Sequence, residues 1–308
     1  MNTLACDALV LGANGYIGSN LCYWLLQQGC TVTGVGRATA FKGQVPASGG
    51  VFTYLTADLS QPEAYHTLPL HAPLIYMMAG ATGTAAGFTQ YQPMLLSNEL
   101  ALLHLLHALQ NGGYQSKVIF PSTRLVYKGQ PNLLLPEDAP KETKTVYAVN
   151  KLACEGYLQA WHNAFTIPFT IFRICVLYGH LLPGQYAYGT LAFMQQQARQ
   201  NGAITLYGQG QMRRTFTHVQ DICQIMHKAS QLPQTNGLTL NIGSNDHWSL
   251  QQVASEICLR TGASLQYAPW PTLDEKLESG DTMFADEALQ NIMPYTYQYQ
   301  LIDYLQQI

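Results

Sequence analysis

Three glycines near the start of the chain, Gly12, Gly15 and Gly18, constrain the fold more than any other feature. They follow an apolar run over 4–11 that predicts a buried strand, and apolar positions at helical spacing over 15–28 predict a helix after them. Glycine in such a strand–turn–helix unit permits a tight turn and close approach to a pyrophosphate, and the helix N-terminus offers N–H groups to phosphates. We therefore predict a dinucleotide-binding loop, with an ordinary glycine-rich turn as the alternative. The residues expected to face the dinucleotide here are Gly12, Asn14, Gly15, Tyr16, Ile17 and Gly18.

Beyond the loop, strand patterns alternate with helix patterns. Strands are predicted over 31–35, 51–55, 74–78 and 169–174 and from Lys117 onward, and helices over 95–109 and 147–161. This order is typical of the α/β class with a Rossmann-type doubly wound parallel sheet.

After about residue 177 the pattern loosens, and glycine, proline and tyrosine cluster between Tyr178 and Tyr188. We expect a smaller C-terminal α/β lobe there, which binds substrate and closes over the site. The predicted division is a dinucleotide-binding domain over 1–176 with part of 215–242, and a substrate-binding lobe over 177–214 and 243–308.

The composition argues against several other classes of protein. The chain has 308 residues, 47% of them hydrophobic, and its formal net charge of −3 without a basic run does not suit a nucleic-acid groove or an anionic membrane surface. Its seven cysteines have no C-x-x-C spacing and its scattered histidines lack a carboxylate motif, so we expect no disulfide framework and no metal site. Neither a signal-peptide pattern nor an apolar run of transmembrane length is evident, which favours a cytoplasmic protein.

The end of the second predicted strand bears on the choice of cofactor. An acidic residue that binds the ribose hydroxyls is usual there, but this chain has Arg37. A guanidinium suits a 2′-phosphate, which favours NADP over NAD; an arginine stacked on adenine or left in solvent is the alternative. Asp58 and the neighbouring Leu59, after the third strand, are placed to cover the adenine, although Asp58 would equally suit a helix N-cap.

Tyr147 and Lys151 lie one turn apart on one face of a predicted helix. A free phenol titrates at about 10, and a lysine and a nicotinamide cation nearby both favour the phenolate and should lower that pKa. In a chain with 19 tyrosines, a tyrosine four residues before a lysine is expected by chance about as often as not. The evidence for a catalytic role therefore comes from the position of the pair in the predicted fold. Upstream, Thr123 follows the fifth predicted strand at the edge of the sheet where ligands bind, and its hydroxyl would bond the reacting oxygen. A satisfied turn hydroxyl is the alternative.

Together these features resemble an extended short-chain dehydrogenase/reductase of the NAD-dependent epimerase/dehydratase type, over nearly the whole chain. Besides the glycine loop, the motifs that carry the likeness are Ala79-Gly80, Asn98, Ser122-Thr123 with Val126-Tyr127, Tyr147 with Lys151, and Arg173 with Tyr178-Gly179. The C-terminal segments that follow the family's order are 207–210, 214–216, 219–221 and 241–243.

The resemblance implies a role for individual residues. Thr123 would orient the substrate oxygen, Tyr147 would be the acid/base, and Lys151 would bind ribose and tune the tyrosine. Family substrates are mostly sugar nucleotides, and Arg214 would meet the diphosphate, with a structural ion pair as the alternative. The further residues implied to contact the cofactor are Met78, Ala79, Gly80, Asn98 and Ile174, and those implied to contact substrate are Thr82, Thr123, Arg124, Val176 and Arg214.

The resemblance leaves the reaction open. Arg37 favours a net NADP-dependent reductase of a 4-keto or 4-keto-6-deoxy sugar nucleotide, and a 4-epimerase that keeps NAD bound is the alternative. Arg124 and Leu125 stand where 4,6-dehydratases carry an acid/base pair, which counts against a dehydratase. Val176 and His180 replace an asparagine and a proline that are usual in the family, so no particular sugar is indicated. A non-catalytic dinucleotide sensor or scaffold is a third hypothesis, and the intact catalytic trio argues against it.

Two predicted helices, 95–109 and 147–161, are apolar beyond the needs of one face. In the family such helices pack against a second copy, so we expect a homodimer. Burial of both helices against the sheet is the alternative.

Overall fold

The computed structural model describes residues 7–182 and 188–308. The predictions made for residues 4–6 and for the part of the glycine- and tyrosine-rich segment over 183–187 lie outside these ranges. The strands of the described chain are β1 (Asp7–Leu11), β2 (Thr31–Gly36), β3 (Phe52–Thr56), β4 (Leu74–Met77), β5 (Lys117–Thr123), β6 (Leu134–Leu135), β7 (Phe169–Ile174), β8 (Val176–Tyr178), β9 (Ala203–Tyr207), β10 (Arg213–His218), β11 (Leu238–Ile242), β12 (His247–Ser249), β13 (Ser264–Ala268) and β14 (Met283–Phe284). The helices are α1 (Tyr16–Gln27), α2 (Tyr91–Leu95), α3 (Ala101–Gly112), α4 (Val146–Phe165), α5 (Gly189–Asn201), α6 (Val219–Ser230), α7 (Leu250–Thr261), α8 (Thr272–Leu277), α9 (Glu287–Ile292) and α10 (Leu301–Leu305).

Seven strands form one parallel sheet in the order β11-β7-β5-β4-β1-β2-β3. The first described strand, β1, lies in the middle of the sheet; the chain then moves outward through β2 and β3 and returns to β4 on the other side of β1. The order therefore reverses between β1 and β4, and ligands of doubly wound sheets bind beyond the carboxyl ends of the strands at such a point. The predicted α/β Rossmann-type sheet is confirmed.

The sheet is covered by helices on both faces, because successive side chains of a strand point to opposite sides. In β1, Ala8 and Val10 belong to a core that includes α1 and α6, whereas Leu9 and Leu11 belong to a second core that includes α3 and α4. All residues of β5 and β7 are buried. This is why these strands are continuous apolar runs in the sequence.

The single helix predicted over 95–109 is a longer helical stretch with a π-turn inside it. Helix α2 leads into the π-turn Leu96–Leu100, and α3 follows directly. Two polar residues of the turn are buried and bonded: Asn98 pairs with both backbone groups of Ala81, and Glu99 accepts from Asn150 and from Tyr157. We attribute the local widening of the helix to these inward-facing bonds.

Smaller sheets lie toward the C-terminus. Strands β12, β10 and β8 form one sheet, and β13 pairs with β9. Helices α5 and α7 pack with them around a third core that includes Leu191, Ile204 and Val253. In addition, β14 pairs with β6, so a segment from the second quarter of the chain joins these C-terminal elements. The domain boundaries stay a prediction.

Two features are absent from residues 7–182 and 188–308. No three His, Cys, Asp or Glu residues are grouped as metal ligands would be. No helix is long and apolar enough to cross a bilayer.

Candidate active site

The glycine loop is packed so closely that side chains are excluded at two positions. Gly12 has φ +91°, and a Cβ there would lie 2.4 Å from the backbone nitrogen of Ala79, which follows β4. A Cβ on Gly18 would lie 2.2 Å from the carbonyl oxygen of Gly12. Gly15 is the exposed N-cap residue of α1, and no side chain of the described residues caps the helix there. The loop thus presents bare backbone and an uncapped helix N-terminus, which fits the pyrophosphate of a dinucleotide.

A cavity of about 400 Å³ lies beside this loop, at the carboxyl ends of β1, β4, β5 and β7. It brings together residues from distant parts of the chain, including the whole predicted catalytic trio. The predicted site residues that line it are Gly15, Tyr16, Ile17, Met78, Ala79, Gly80, Thr82, Thr123, Arg124, Tyr147, Lys151, Ile174 and Val176.

Three of the predicted cofactor residues make local contacts in the described chain, and their contact with a cofactor stays a prediction. Asn14 donates to the Ala40 carbonyl and the Tyr54 hydroxyl, and so ties the loop to the segment after β2. Asp58 accepts from the backbone and the hydroxyl of Ser60, so its carboxylate stabilises a turn. It does not cap the helix that follows, whose N-cap residue is Gln61. The Leu59 side chain is buried in the core.

Arg37 and Asn98 were also predicted to contact the cofactor, and the structure places them differently. Arg37 follows β2 directly and is exposed, so its position is compatible with a ribose-side role. Asn98 does not line the cavity but bonds to Ala81, and thereby fixes the backbone just after Gly80. Its contribution to the site is to position the loop after β4.

The structure does not bring Arg214 to the cavity. Its side chain is 2% exposed, and Nη2 forms an ion pair of 2.5 Å with Glu278. Nη1 donates to the carbonyl oxygens of Arg213 and Gly280. The expected diphosphate contact is replaced by the structural ion pair that was its alternative, because the guanidinium already has a carboxylate and two carbonyls as partners.

The catalytic trio is positioned by the end of β5 and the first turns of α4. Thr123 is the last residue of β5, and its Oγ1 accepts from the backbone nitrogen of Leu125 at 3.3 Å, which leaves the hydroxyl proton to be donated. Thr145 caps α4 through a bond from Ala148, which sets the first turn that carries Tyr147. Lys151 Nζ donates to the Pro121 carbonyl at 2.7 Å and lies 5.8 Å from the centre of the Tyr147 ring.

The ionisation of the Tyr–Lys pair differs from the expectation. Burial raises the pKa of Tyr147, with smaller contributions from Tyr188 and Cys154, and burial lowers the pKa of Lys151 to about 8. The protein by itself therefore does not show the predicted lowering of the tyrosine pKa, because the loss of hydration disfavours the phenolate. The consequence is a neutral phenol at neutral pH, which is the form that donates a proton. The effect of a nicotinamide cation on this pKa stays a prediction.

A buried ionic network behind the trio was not foreseen. Glu155, one turn after Lys151, bonds Arg173 of β7 through both carboxylate oxygens, at 2.6 and 3.0 Å. The Ser122 hydroxyl donates to the same carboxylate at 2.5 Å. The network fastens α4 to β5 and β7, and so fixes Tyr147 relative to the strand end.

Tyr188 is a second residue that the sequence analysis missed. It lines the cavity, its ring stacks on Tyr16 at 5.0 Å, and its hydroxyl lies 3.0 Å from Thr82 Oγ1. The Tyr16 hydroxyl in turn donates to the Gly179 carbonyl. These contacts join the glycine loop to the start of the C-terminal elements. They link positions far apart in sequence, which no local pattern predicts.

The chain is similar in sequence to known proteins over most of its length. The sequence profile of the NAD dependent epimerase/dehydratase family matches residues 8–243. YtcB of Bacillus subtilis (strain 168), an uncharacterized UDP-glucose epimerase, is 28% identical over 264 residues, which cover 81% of this chain and 80% of that protein. The UDP-N-acetyl-alpha-D-glucosaminuronate decarboxylase of Bacillus cytotoxicus is 29% identical over 268 residues, covering 83% and 80%.

The fold also matches solved structures. MoeE5 in complex with UDP-glucuronic acid and NAD has a TM-score of 0.82 at 24% identity, with 97% of this chain and 96% of that chain covered. The profile match, which extends from the first strand to just past the last strand of the large sheet, shows the relationship directly. The chain belongs to the NAD dependent epimerase/dehydratase family.

Proposed function

We propose that the protein transfers hydride between a nicotinamide dinucleotide and a sugar carbon of a nucleotide sugar. The observation that carries this proposal is that Thr123, Tyr147 and Lys151 line the same cavity as the glycine loop. Relatives named as sugar-nucleotide enzymes support the class of substrate. A non-catalytic sensor would have no need to gather these three side chains at one cavity.

The nicotinamide, when bound, supplies or receives the hydride. In the reducing direction the Thr123 hydroxyl orients the keto oxygen, and the buried phenol of Tyr147 donates its proton to it. Lys151 holds the ribose hydroxyls with its ammonium group. The cavity walls contribute by positioning these groups and by excluding water.

The first candidate reaction is net reduction at C4 of a keto sugar nucleotide with NADPH. Arg37, exposed at the end of β2, supports NADPH because its guanidinium would pair with the 2′-phosphate. The second candidate is a 4-epimerase with bound NAD, and the UDP-glucose epimerase among the relatives favours it.

Two measurements separate these candidates. Titration with NADPH and NADH should show tighter NADPH binding, and Arg37→Ser should remove the difference without weakening NADH. Tighter NADH binding by the wild-type protein would contradict the role of Arg37. Nucleotide sugars are then screened for consumption of reduced cofactor; turnover of a sugar without net cofactor change would identify the epimerase.

We also propose that the protein is a homodimer. Three apolar side chains on the α2–π-turn segment and on α4 are strongly exposed: Leu95 (42%), Leu96 (42%) and Val149 (44%). Helix α4 packs against the π-turn and against α2, so the two groups lie on neighbouring elements. Exposed apolar side chains of this kind suit burial against a second copy.

A further inference from the structure

Arg124 carries a buried nitrogen atom that has no hydrogen-bond partner in the described chain. The residue directly follows Thr123, opens the 3₁₀ turn Arg124–Val126, and lines the catalytic cavity. Its Nη1 is buried, and no residue of 7–182 or 188–308 accepts a hydrogen bond from it. A buried guanidinium nitrogen without an acceptor is costly. Because the residue lines the catalytic cavity, a ligand bound there is the candidate for the missing acceptor.

No carboxylate of the described chain forms an ion pair with Arg124. Oε1 of Glu278 is bonded to Arg214 and to the backbone of Gly280. Burial raises the pKa of the Cys175 thiol, which is therefore neutral. Burial first, and the Arg214 charge second, lower the pKa of Arg124 to about 10, which leaves it cationic at neutral pH. The cavity thus offers a positive charge to its ligand.

We propose that Arg124 binds a carboxylate on the sugar, so that the substrate is a nucleotide-linked uronic acid. This inference rests on the proposed function. If Thr123 meets the reacting oxygen, the next residue belongs to the sugar end of the cavity. The C6 carboxylate of a hexuronate lies close to C4, and its two oxygens match the planar fork of a guanidinium. A 6-deoxy sugar has a methyl group there, which would leave the charge unpaired.

The test compares matched acidic and neutral sugars by calorimetry on the cofactor-saturated protein. The probes are UDP-glucuronic acid with UDP-glucose, and dTDP-glucuronic acid with dTDP-glucose. At least one acidic sugar should bind about 10- to 100-fold more tightly than its neutral partner, as expected for hydrogen bonds to a charged group. Arg124→Gln should remove this difference by weakening the acidic sugar alone, and Arg124→Lys should restore part of it.

Arg199→Gln is the matched control, because it removes the same charge from an exposed position on α5 outside this cavity. It should keep the wild-type preference. Arg124→Gln should also leave the melting temperature unchanged or raise it, since it removes an unpaired buried charge.

Three results would overturn the inference. A wild-type protein without preference for acidic sugars would contradict it directly. Equal weakening of both sugars by Arg124→Gln would assign the guanidinium to the shared diphosphate, and a large fall in melting temperature with unchanged selectivity would assign it to folding. If the cofactor binds and none of the four sugars binds, the proposed function itself is wrong. If the neutral sugars are turned over and the acidic sugars are not preferred to them, only the assignment of Arg124 to a carboxylate is wrong.

Discussion

Replacement of Glu155 by alanine should destabilise the protein strongly, because this carboxylate belongs to a buried ion pair. Glu155 and Arg173 are 10% and 6% exposed and are joined by two bonds of 2.6 and 3.0 Å. Removal of one partner of such a buried pair leaves an uncompensated charge, which costs about 3–5 kcal/mol. Arg173 Nη1 keeps its bonds to the Tyr127 hydroxyl and the Glu137 carbonyl, so we expect a value near the lower end.

The assay is urea unfolding of the cofactor-free protein, with Glu256→Ala as the control. Glu256 pairs with Arg260 one helical turn away, and these side chains are 28% and 19% exposed. A pair of that kind contributes about 0.3–0.5 kcal/mol. The two variants lose the same chemical group from salt bridges of similar length, so the difference between them reports the burial of Glu155 together with its additional hydrogen bonds.

Equal losses of unfolding free energy in the two variants would refute the reasoning. A second readout concerns the site. Because Ser122 bonds Glu155 and precedes Thr123, Glu155→Ala should lower kcat more than it weakens cofactor binding. Unchanged kcat would show that the network does not position the strand end.

Three further outcomes are expected. Gly12→Ala should lower the free energy of unfolding by more than the roughly 1–2 kcal/mol that a left-handed backbone costs, because its Cβ would meet Ala79. Gly113→Ala should lower it by only that amount, because Gly113 has φ +64° and open space around it. Cofactor affinity should fall as the pH rises through about 8, because the Lys151 ammonium, which is charged below its lowered pKa, loses its proton there; Lys151→Arg should flatten this profile. Val149→Glu should convert the dimer to a monomer in light scattering, because it places a charge in the exposed apolar face.

Each of these three predictions would be contradicted by a specific result. Equal losses of unfolding free energy in the two glycine variants would argue against the close contact of Gly12 with the segment after β4. A wild-type cofactor affinity that stays constant up to about pH 10, well above the lowered pKa of Lys151, would remove this lysine from ribose binding. A wild-type protein that is already monomeric, or a Val149→Glu variant that stays dimeric, would refute the proposed interface.

The large sheet was predictable because its strands are buried on both faces. The predicted strand 169–174 coincides with β7, and the others agree within a few residues over the described part of the chain. Central parallel strands need apolar residues at every position, and this produces a strong local signal. The C-terminal sheets were predicted only as a smaller α/β lobe. Their strands are short, and β6 finds its partner β14 far along the chain, which no local pattern encodes.

The sequence was sufficient to predict those site residues whose role depends on their position in the fold. The end of β5 and the first turns of α4 place Thr123, Tyr147 and Lys151 at one cavity, as expected. The sequence was insufficient to predict the role of residues that depends on their surroundings in the folded chain. Arg214 has Glu278 as its partner, 64 residues away, and burial rather than the Lys151 charge dominates the ionisation of Tyr147.

One measurement tests the central claim most directly: turnover and cofactor affinity of Tyr147→Phe, with Tyr157→Phe on the same helix as the control. Tyr157 bonds Glu99 and lies outside the cavity. If Tyr147 is the acid/base, Tyr147→Phe should lose about 10²- to 10⁴-fold in kcat, with cofactor affinity unchanged, whereas Tyr157→Phe should keep both. Retention of near wild-type turnover by Tyr147→Phe would contradict the account.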